Sequence, residues 1–185
     1  ALTTGSDNTL IGDNAGGALT TGGTNVAVGS SSGDAMTTGS DNTLVGDNAG
    51  GALTGGSENV AIGSGALLTE DAAGRAVAVG FEALKVQDAG SDSQNVAVGY
   101  QTLTANTTGI DNVAVGGSAA YAITTGDRNL ILGKAAGQNL TTGDDNVAVG
   151  RAALYTATTI SDMVAVGKNA LYANSTGTQN TALGY

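Results

Sequence analysis

The sequence predicts an all-β protein, a parallel β-roll or β-solenoid of about eleven coils with 17 residues in each coil. Three observations predict this fold: a glycine at a fixed interval, a short apolar run before each such glycine, and turn-forming residues between the runs. The chain has 185 residues, of which 31 are Gly, and it contains no Pro, Cys, His or Trp. We interpret residues 1–185 as a single repeat domain and as a fragment of a longer fibrous chain.

The recurring glycine closes the motif Asn-(Val/Thr)-(Ala/Leu)-(Val/Ile/Leu)-Gly. Successive glycines are 17 residues apart, except for one interval of 19. They are Gly12, Gly29, Gly46, Gly63, Gly80, Gly99, Gly116, Gly133, Gly150, Gly167 and Gly184. A fixed period of this kind is the signature of a repeat architecture. A helical repeat is excluded, because a unit this short cannot hold two helices and is dense in Gly, Val and Thr.

Each unit is numbered from its Asn as position 1. Positions 2 to 4 form a β-prone run without a polar face, which is typical of a strand covered on both sides. The Gly at position 5 is expected to end the strand, at a bend or where another backbone approaches closely. Each coil is expected to contain two short strands and two turns, with an interior filled by one Val, one Leu or Ile, and an Ala.

In each complete unit, only one of positions 9 and 12 holds a large apolar residue. Where position 9 is Gly or Ala, position 12 is large, as in Gly33 and Met36; where position 9 is Leu, position 12 is small or polar, as in Leu154 and Ala157. All ten complete units obey this rule. We infer that both positions reach one slot in the core, which has room for one large side chain. Leaving the slot empty or placing two large side chains in it would destabilise the fold.

Stacked coils place the Asn residues of position 1 in one column. Their amides are expected to hydrogen-bond along the column, as stacked Asn residues do in other parallel β arrays. Ala76 and Met163 interrupt it. The predicted structural ladder comprises Asn8, Asn25, Asn42, Asn59, Asn95, Asn112, Asn129, Asn146 and Asn180.

The strand has a second apolar face that the interior of its own coil cannot cover. A long, regular apolar stripe is best covered by copies of itself around an axis. The sequence therefore predicts self-association, although composition does not count the copies.

With these residues in view, the chain resembles the YadA-like head repeat of trimeric autotransporter adhesins. Asn59–Gly63 is most similar to that family's strand motif, followed by Asn25–Gly29 and Asn95–Gly99. The chain is equally similar to Thr-Thr-Gly/Asn-x-Ala-Val-Gly repeats of phage tail fibres. The resemblance implies a left-handed roll, a homotrimer, and attachment to a host cell or surface from an extracellular position on a bacterium or a phage virion. The period of 17 departs from the family's usual, shorter coil.

Composition excludes several function classes. Six Lys and Arg against 16 Asp and Glu give a net charge of −10, which argues against nucleic-acid binding. The absence of His and Cys excludes Ser-His-Asp triads, Cys-His dyads and His/Cys zinc sites. No apolar run approaches the length of a membrane span, so we expect no direct membrane insertion by this segment. We expect no enzymatic activity, no cofactor and no metal site.

Position 6, just after the Gly, carries the receptor-binding candidates Phe81, Tyr100, Lys134, Arg151 and Lys168. The three cations occupy successive coils, about one strand spacing apart, which is unfavourable unless an anion or solvent lies between them. The row could bind an acidic sugar, and thus a host surface glycan, or a protein receptor. The alternative is an exposed, solvated row of charge.

Tyrosines also recur at position 10, as Tyr121, Tyr155 and Tyr172. Aromatic rows could stack against sugar rings, or could fill space on the surface or at the interface of a trimer. Residues 68–94 form an irregular coil, which is either a recognition loop or a tolerated insertion.

Two other functions remain open at this point. A polysaccharide-degrading fibre needs two carboxylates at a defined separation, and no pair is singled out by spacing. An ice-binding solenoid would use the Thr pairs, but adjacent Thr residues point to opposite faces of a strand. Asp recurs at position 17, yet the nonapeptide motif of calcium-binding β-rolls is absent.

Overall fold

A computed structural model describes residues 3–72 and 74–185 and confirms an all-β parallel solenoid with coils of about 17 residues. Each coil contributes one strand of three residues, and the strands pair in chain order in a single eleven-stranded sheet. The strands are β1 Thr9–Ile11, β2 Val26–Val28, β3 Thr43–Val45, β4 Val60–Ile62, β5 Val77–Val79, β6 Val96–Val98, β7 Val113–Val115, β8 Leu130–Leu132, β9 Val147–Val149, β10 Val164–Val166 and β11 Thr181–Leu183. The described residues form no helix, and so none that could cross a membrane.

Every strand pairs with the equivalent residues of the next coil. Ala97 lies opposite Ala114, and the 19-residue interval does not disturb this register, because Val77 still lies opposite Val96. The two extra residues are absorbed in the turn at 89–92, outside the sheet. Hydrogen bonds hold the chain on both sides of that turn, from the Asp88 N–H to the Thr107 carbonyl (2.8 Å) and from the Ser93 N–H to the Gly74 carbonyl (3.2 Å).

The prediction of a second strand in each coil is wrong for the described residues. The rest of each coil consists of turns and bends, although coil-to-coil hydrogen bonds continue there, as from the Gly16 N–H to the Ser32 carbonyl at 2.9 Å. Positions 7, 9 and 17 adopt positive φ, for example 57° at Asn14 and 58° at Gly16. These left-handed residues interrupt the extended conformation that a strand requires.

The prediction that a Val fills each coil's interior is also wrong. Side chains alternate along a strand, so a strand of three residues directs its middle residue to one face and the other two to the opposite face. Ala97 and Ala114 at position 3 are fully buried, whereas Val115 at position 4 is 38% exposed. The interior is filled instead by residues at positions 3, 8, 9 and 12, such as Ala119 and Ile123.

The core slot inferred from positions 9 and 12 also includes position 3. A Cβ placed on Gly33 would lie 3.6 Å from Cε of Met36, so positions 9 and 12 do adjoin. A Cβ on Gly50 would lie only 2.9 Å from Cδ2 of Leu44. Wherever position 3 is Leu or Ile, position 9 is therefore Gly.

Position 5 requires glycine for two reasons. At Gly116 the backbone φ is 129°, a conformation that L residues with a side chain rarely adopt. A Cβ at this residue would also lie 2.7 Å from the carbonyl carbon of Gly133 in the next coil. Both the bend and the close backbone approach expected from the sequence are present.

Gly116→Ala is expected to lower the free energy of unfolding by about 2–3 kcal/mol, the cost of a strained backbone conformation with a steric clash. Gly117→Ala is the matched control, because a Cβ there would meet nothing within 4 Å, and its effect should stay within about 0.5 kcal/mol. Thermal and urea unfolding followed by circular dichroism measures both. Equal stability of the two variants would contradict the close contact between coils.

A double-mutant cycle tests the shared core slot. Leu154→Gly should cost about 3 kcal/mol through a cavity, and Ala157→Leu about 1–3 kcal/mol through overpacking. The double variant recreates the combination of Gly137 and Leu140 in the preceding coil, and it should recover at least about 1 kcal/mol of the summed loss. Strictly additive losses would show that the two positions do not fill the same space.

Candidate functional site

A column of buried Asn side chains fixes the start of the strands. The backbone N–H and Nδ2 of Asn129 both donate to Oδ1 of Asn112, at 3.0 Å each, and Nδ2 also donates to the Gly143 carbonyl at 2.9 Å. Near the start of the chain, Asn42 makes the same two bonds to Asn25, in the coil before its own. Each amide thus joins its own coil to both neighbouring coils, which is a structural role.

Where the sequence interrupts the column, the bond to the preceding Asn is kept, but the amide acceptor for the next coil is lost. Ala76 has no amide side chain, yet its backbone N–H donates to Oδ1 of Asn59 at 3.0 Å. Met163 does the same towards Asn146 at 3.2 Å. At the last coil Asn180 is exposed, and its N–H lies 3.5 Å from the Met163 sulfur.

Asn112→Ala should lower the free energy of unfolding by about 2–3 kcal/mol, because it removes the acceptor of two donors of Asn129 and the donor to the Gly126 carbonyl. Asn139→Ala is the control, since this exposed amide makes one bond, to the Tyr155 carbonyl, and its loss should cost about 0.5 kcal/mol or less. Chemical denaturation of both variants decides whether burial of the amide column matters.

The turn residues form further columns. The first Thr of the Thr-Thr-Gly turn donates its hydroxyl to the carbonyl of the equivalent residue in the next coil, as from Thr20 to Thr37 at 2.9 Å. At position 16 a side-chain oxygen accepts from the preceding coil, as where the Asp127 N–H donates to Oδ1 of Asp144 at 2.8 Å. These bonds give the first Thr of each pair a structural role.

The receptor-binding candidates at position 6 all lie on the exposed surface just after the strands. Phe81 and Tyr100 are 44% and 57% exposed. Their rings stack with centroids 5.5 Å apart and planes inclined by 11°. Lys134, Arg151 and Lys168 are exposed in three successive coils further along the same row.

The other cations are paired with carboxylates. Nε of Arg75 lies 2.9 Å from Oε2 of Glu58, and Nε of Arg128 lies 2.8 Å from Oδ1 of Asp145. The hydrogen bond from Arg128 lowers the pKa of the Asp145 carboxyl below its ordinary value. The paired cations are Arg75, Lys85 and Arg128.

The cations of the position-6 row differ in this respect. Across residues 3–72 and 74–185, no carboxylate forms an ion pair with Lys134, Arg151 or Lys168. Nζ of Lys168 instead lies 5.0 Å from the ring centroid of Tyr185. In a chain with a net charge of −10, three neighbouring cations without a carboxylate partner are available to an external anion.

A cavity of about 540 Å³ lies beside this row. Two cations, two amides and two tyrosines line it, and no carboxylate does. Its lining residues are Lys134, Ala135, Gln138, Arg151, Ala152, Tyr155, Asn169 and Tyr172. The rings of Tyr155 and Tyr172 are parallel, with centroids 5.0 Å apart. We call this the cationic-aromatic cavity.

The structure brings two of the five receptor-binding candidates, Lys134 and Arg151, into one cavity. Phe81 and Tyr100 stack on each other elsewhere in the row. The candidate set omitted Gln138, Asn169 and the two cavity tyrosines. The recurrence of Tyr at position 10 was the available signal, but the sequence could not show that positions 6 and 10 line a common cavity.

A cluster of carboxylates lies in the irregular coil. Oxygens of Glu70, Asp71 and Asp88 all lie within 4.8 Å of one another. Glu70 is fully buried at position 12 and accepts a hydrogen bond from Nε2 of Gln87 at 3.1 Å, which links it to the next coil. Asp71 and Asp88 are exposed to solvent. Burial and this hydrogen bond make Glu70 a structural polar residue of the core.

Comparisons of the chain with family models, with curated proteins and with solved structures give no match to any of them. Functional inference therefore depends on the solenoid, on its apolar outer face and on the cationic-aromatic cavity.

Proposed function

We propose that this chain is a non-enzymatic structural and adhesive segment of a surface-exposed fibre, which attaches a bacterium or a phage virion to a host cell or surface. The observation that carries the proposal is the uninterrupted stacking of eleven coils in one sheet, a rod about 50 Å long. Regular coils build length and stiffness rather than a single catalytic cleft. The resemblance of the repeat motif to YadA-like head repeats supports the same function. It also implies that the coils wind in a left-handed sense.

The fibre is a homotrimer in this proposal. Positions 2 and 4 of the strands point outward and form one apolar stripe along the whole sheet; all eleven residues at position 4 and eight of eleven at position 2 are Val, Ile or Leu. Ile62, Val115 and Leu130 are 39%, 38% and 37% exposed in the single chain. An apolar stripe of this length is typical of an interface between copies.

The cavity's residues favour binding over cleavage. Glycoside hydrolysis uses a carboxylic acid and a second carboxylate placed on either side of the scissile bond. The cationic-aromatic cavity has neither among its lining residues. In the carboxylate cluster of the irregular coil, Glu70 is fully buried, and the exposed Asp71 and Asp88 lie outside the cationic-aromatic cavity.

Native mass spectrometry of the segment should give three chains. Val115→Asp should weaken assembly by at least about 100-fold, because an uncompensated buried charge costs about 3–5 kcal/mol. Thr125→Asp, an exposed turn residue, is the matched control and should remain trimeric. A folded monomeric wild type, or a Val115→Asp variant that assembles like the control, would overturn the trimer.

A further inference from the structure

We propose that the cationic-aromatic cavity binds a segment of an acidic polysaccharide, one whose sugars carry sulfate or carboxylate groups. This inference rests on the proposed adhesive function and names the ligand class of the attachment site. Three properties of the cavity support it: its charge, its aromatic surface and its polar groups.

The charge of the cavity opposes the charge of the chain. Residues 75–185 contain eight acids, yet none of them lines the cavity, whereas Lys134 and Arg151 do. These two cations are one coil apart, about 4.8 Å along the rod, where like charges repel unless an anion lies between them. A sulfate or carboxylate between them removes that repulsion and gains charge-assisted hydrogen bonds. Lys168 extends the row by one further coil.

The aromatic surface of the cavity suits a sugar ring. Tyr155 and Tyr172 are held parallel by mutual stacking, so little conformational freedom is lost when a ligand packs on them. Their mutual stacking covers one face of each ring, and the remaining apolar surface is available to the C–H groups of a pyranose. The amides of Gln138 and Asn169 supply both donors and acceptors, which is what sugar hydroxyls require. The volume of about 540 Å³ lies within the range of small-ligand sites.

The same features favour a glycan over other polyanions. Duplex nucleic acid carries about one charge every 1.7 Å, and its dense charge would be repelled by a chain of net charge −10. An acidic peptide can pair with the cations but has no flat C–H face for the tyrosines. An acidic polysaccharide has widely spaced charges and also C–H faces on its sugars. It can therefore contact both the cations and the tyrosines of the cavity.

The test measures binding of the folded wild-type segment by calorimetry to a sulfated oligosaccharide, an oligouronate, a neutral glucan of equal length, polyglutamate and duplex DNA. The two acidic glycans should bind, more weakly as salt rises. The neutral glucan, polyglutamate and DNA should bind at least about 10-fold more weakly. Polyglutamate or DNA binding as tightly as the acidic glycans, or binding of neither acidic glycan, would overturn the proposal.

Variants assign the binding to the cavity. Arg151→Gln, Lys134→Gln and Tyr155→Ala should each weaken acidic-glycan binding at least about 5-fold. Arg75→Gln and Tyr121→Ala remove a cation and a tyrosine outside the cavity and should bind as wild type does. Circular dichroism melts establish that all five variants fold. Folded cavity variants that bind like these controls would place the site elsewhere.

The same samples separate this inference from the proposed function. A trimer that binds no acidic glycan overturns the ligand assignment alone. A monomer that binds the glycan through the cavity overturns the trimeric assembly alone. Release of reducing ends from a bound glycan would overturn the non-enzymatic function while leaving the binding site in place.

Discussion

The close contact between successive backbones at position 5 is the constraint on which the rest of the structure depends. Only hydrogen fits on the Cα of Gly116, because the carbonyl group of Gly133 lies directly against it. Coils that approach so closely must stack with equivalent residues aligned. That alignment places one amide above another in the Asn column and one apolar residue beside another on the outer face of the sheet. The core itself is narrow. Much of the stabilisation therefore comes from hydrogen bonds and contacts between successive coils, along the rod.

Stacking in register also converts single residues into surface rows. Because position 6 of each coil lies beside position 6 of the next, three cations separated by 17 residues in the chain become neighbours in space. The cavity arises where this row passes the tyrosines of position 10. Neither row alters the core, since both lie outside the slot formed by positions 3, 9 and 12. The solenoid can thus keep one interior and carry different chemistry along its length.

Much of the fold could be predicted from the sequence because repetition reports which positions are equivalent. The coil length, the position of the strand and the column of Asn residues all follow from a periodic motif. The outward orientation of Val115 could not be predicted from the sequence, because a three-residue strand without a polar face does not show which side is inward. The missing second strand depends on left-handed residues such as Leu154, a residue type with no preference for that conformation. The cavity depends in turn on how those residues bend the chain between positions 6 and 10.

The irregular coil shows how such a rod can diversify. Val77 and Val96 keep their register although two residues are added between these strands. The added length leaves the sheet in the turn at 89–92, between two retained hydrogen bonds. A solenoid of this kind can therefore accept an added outward loop in one coil while the neighbouring strands keep their register. The surface chemistry of one coil can then change without any change to the stacking that supports it.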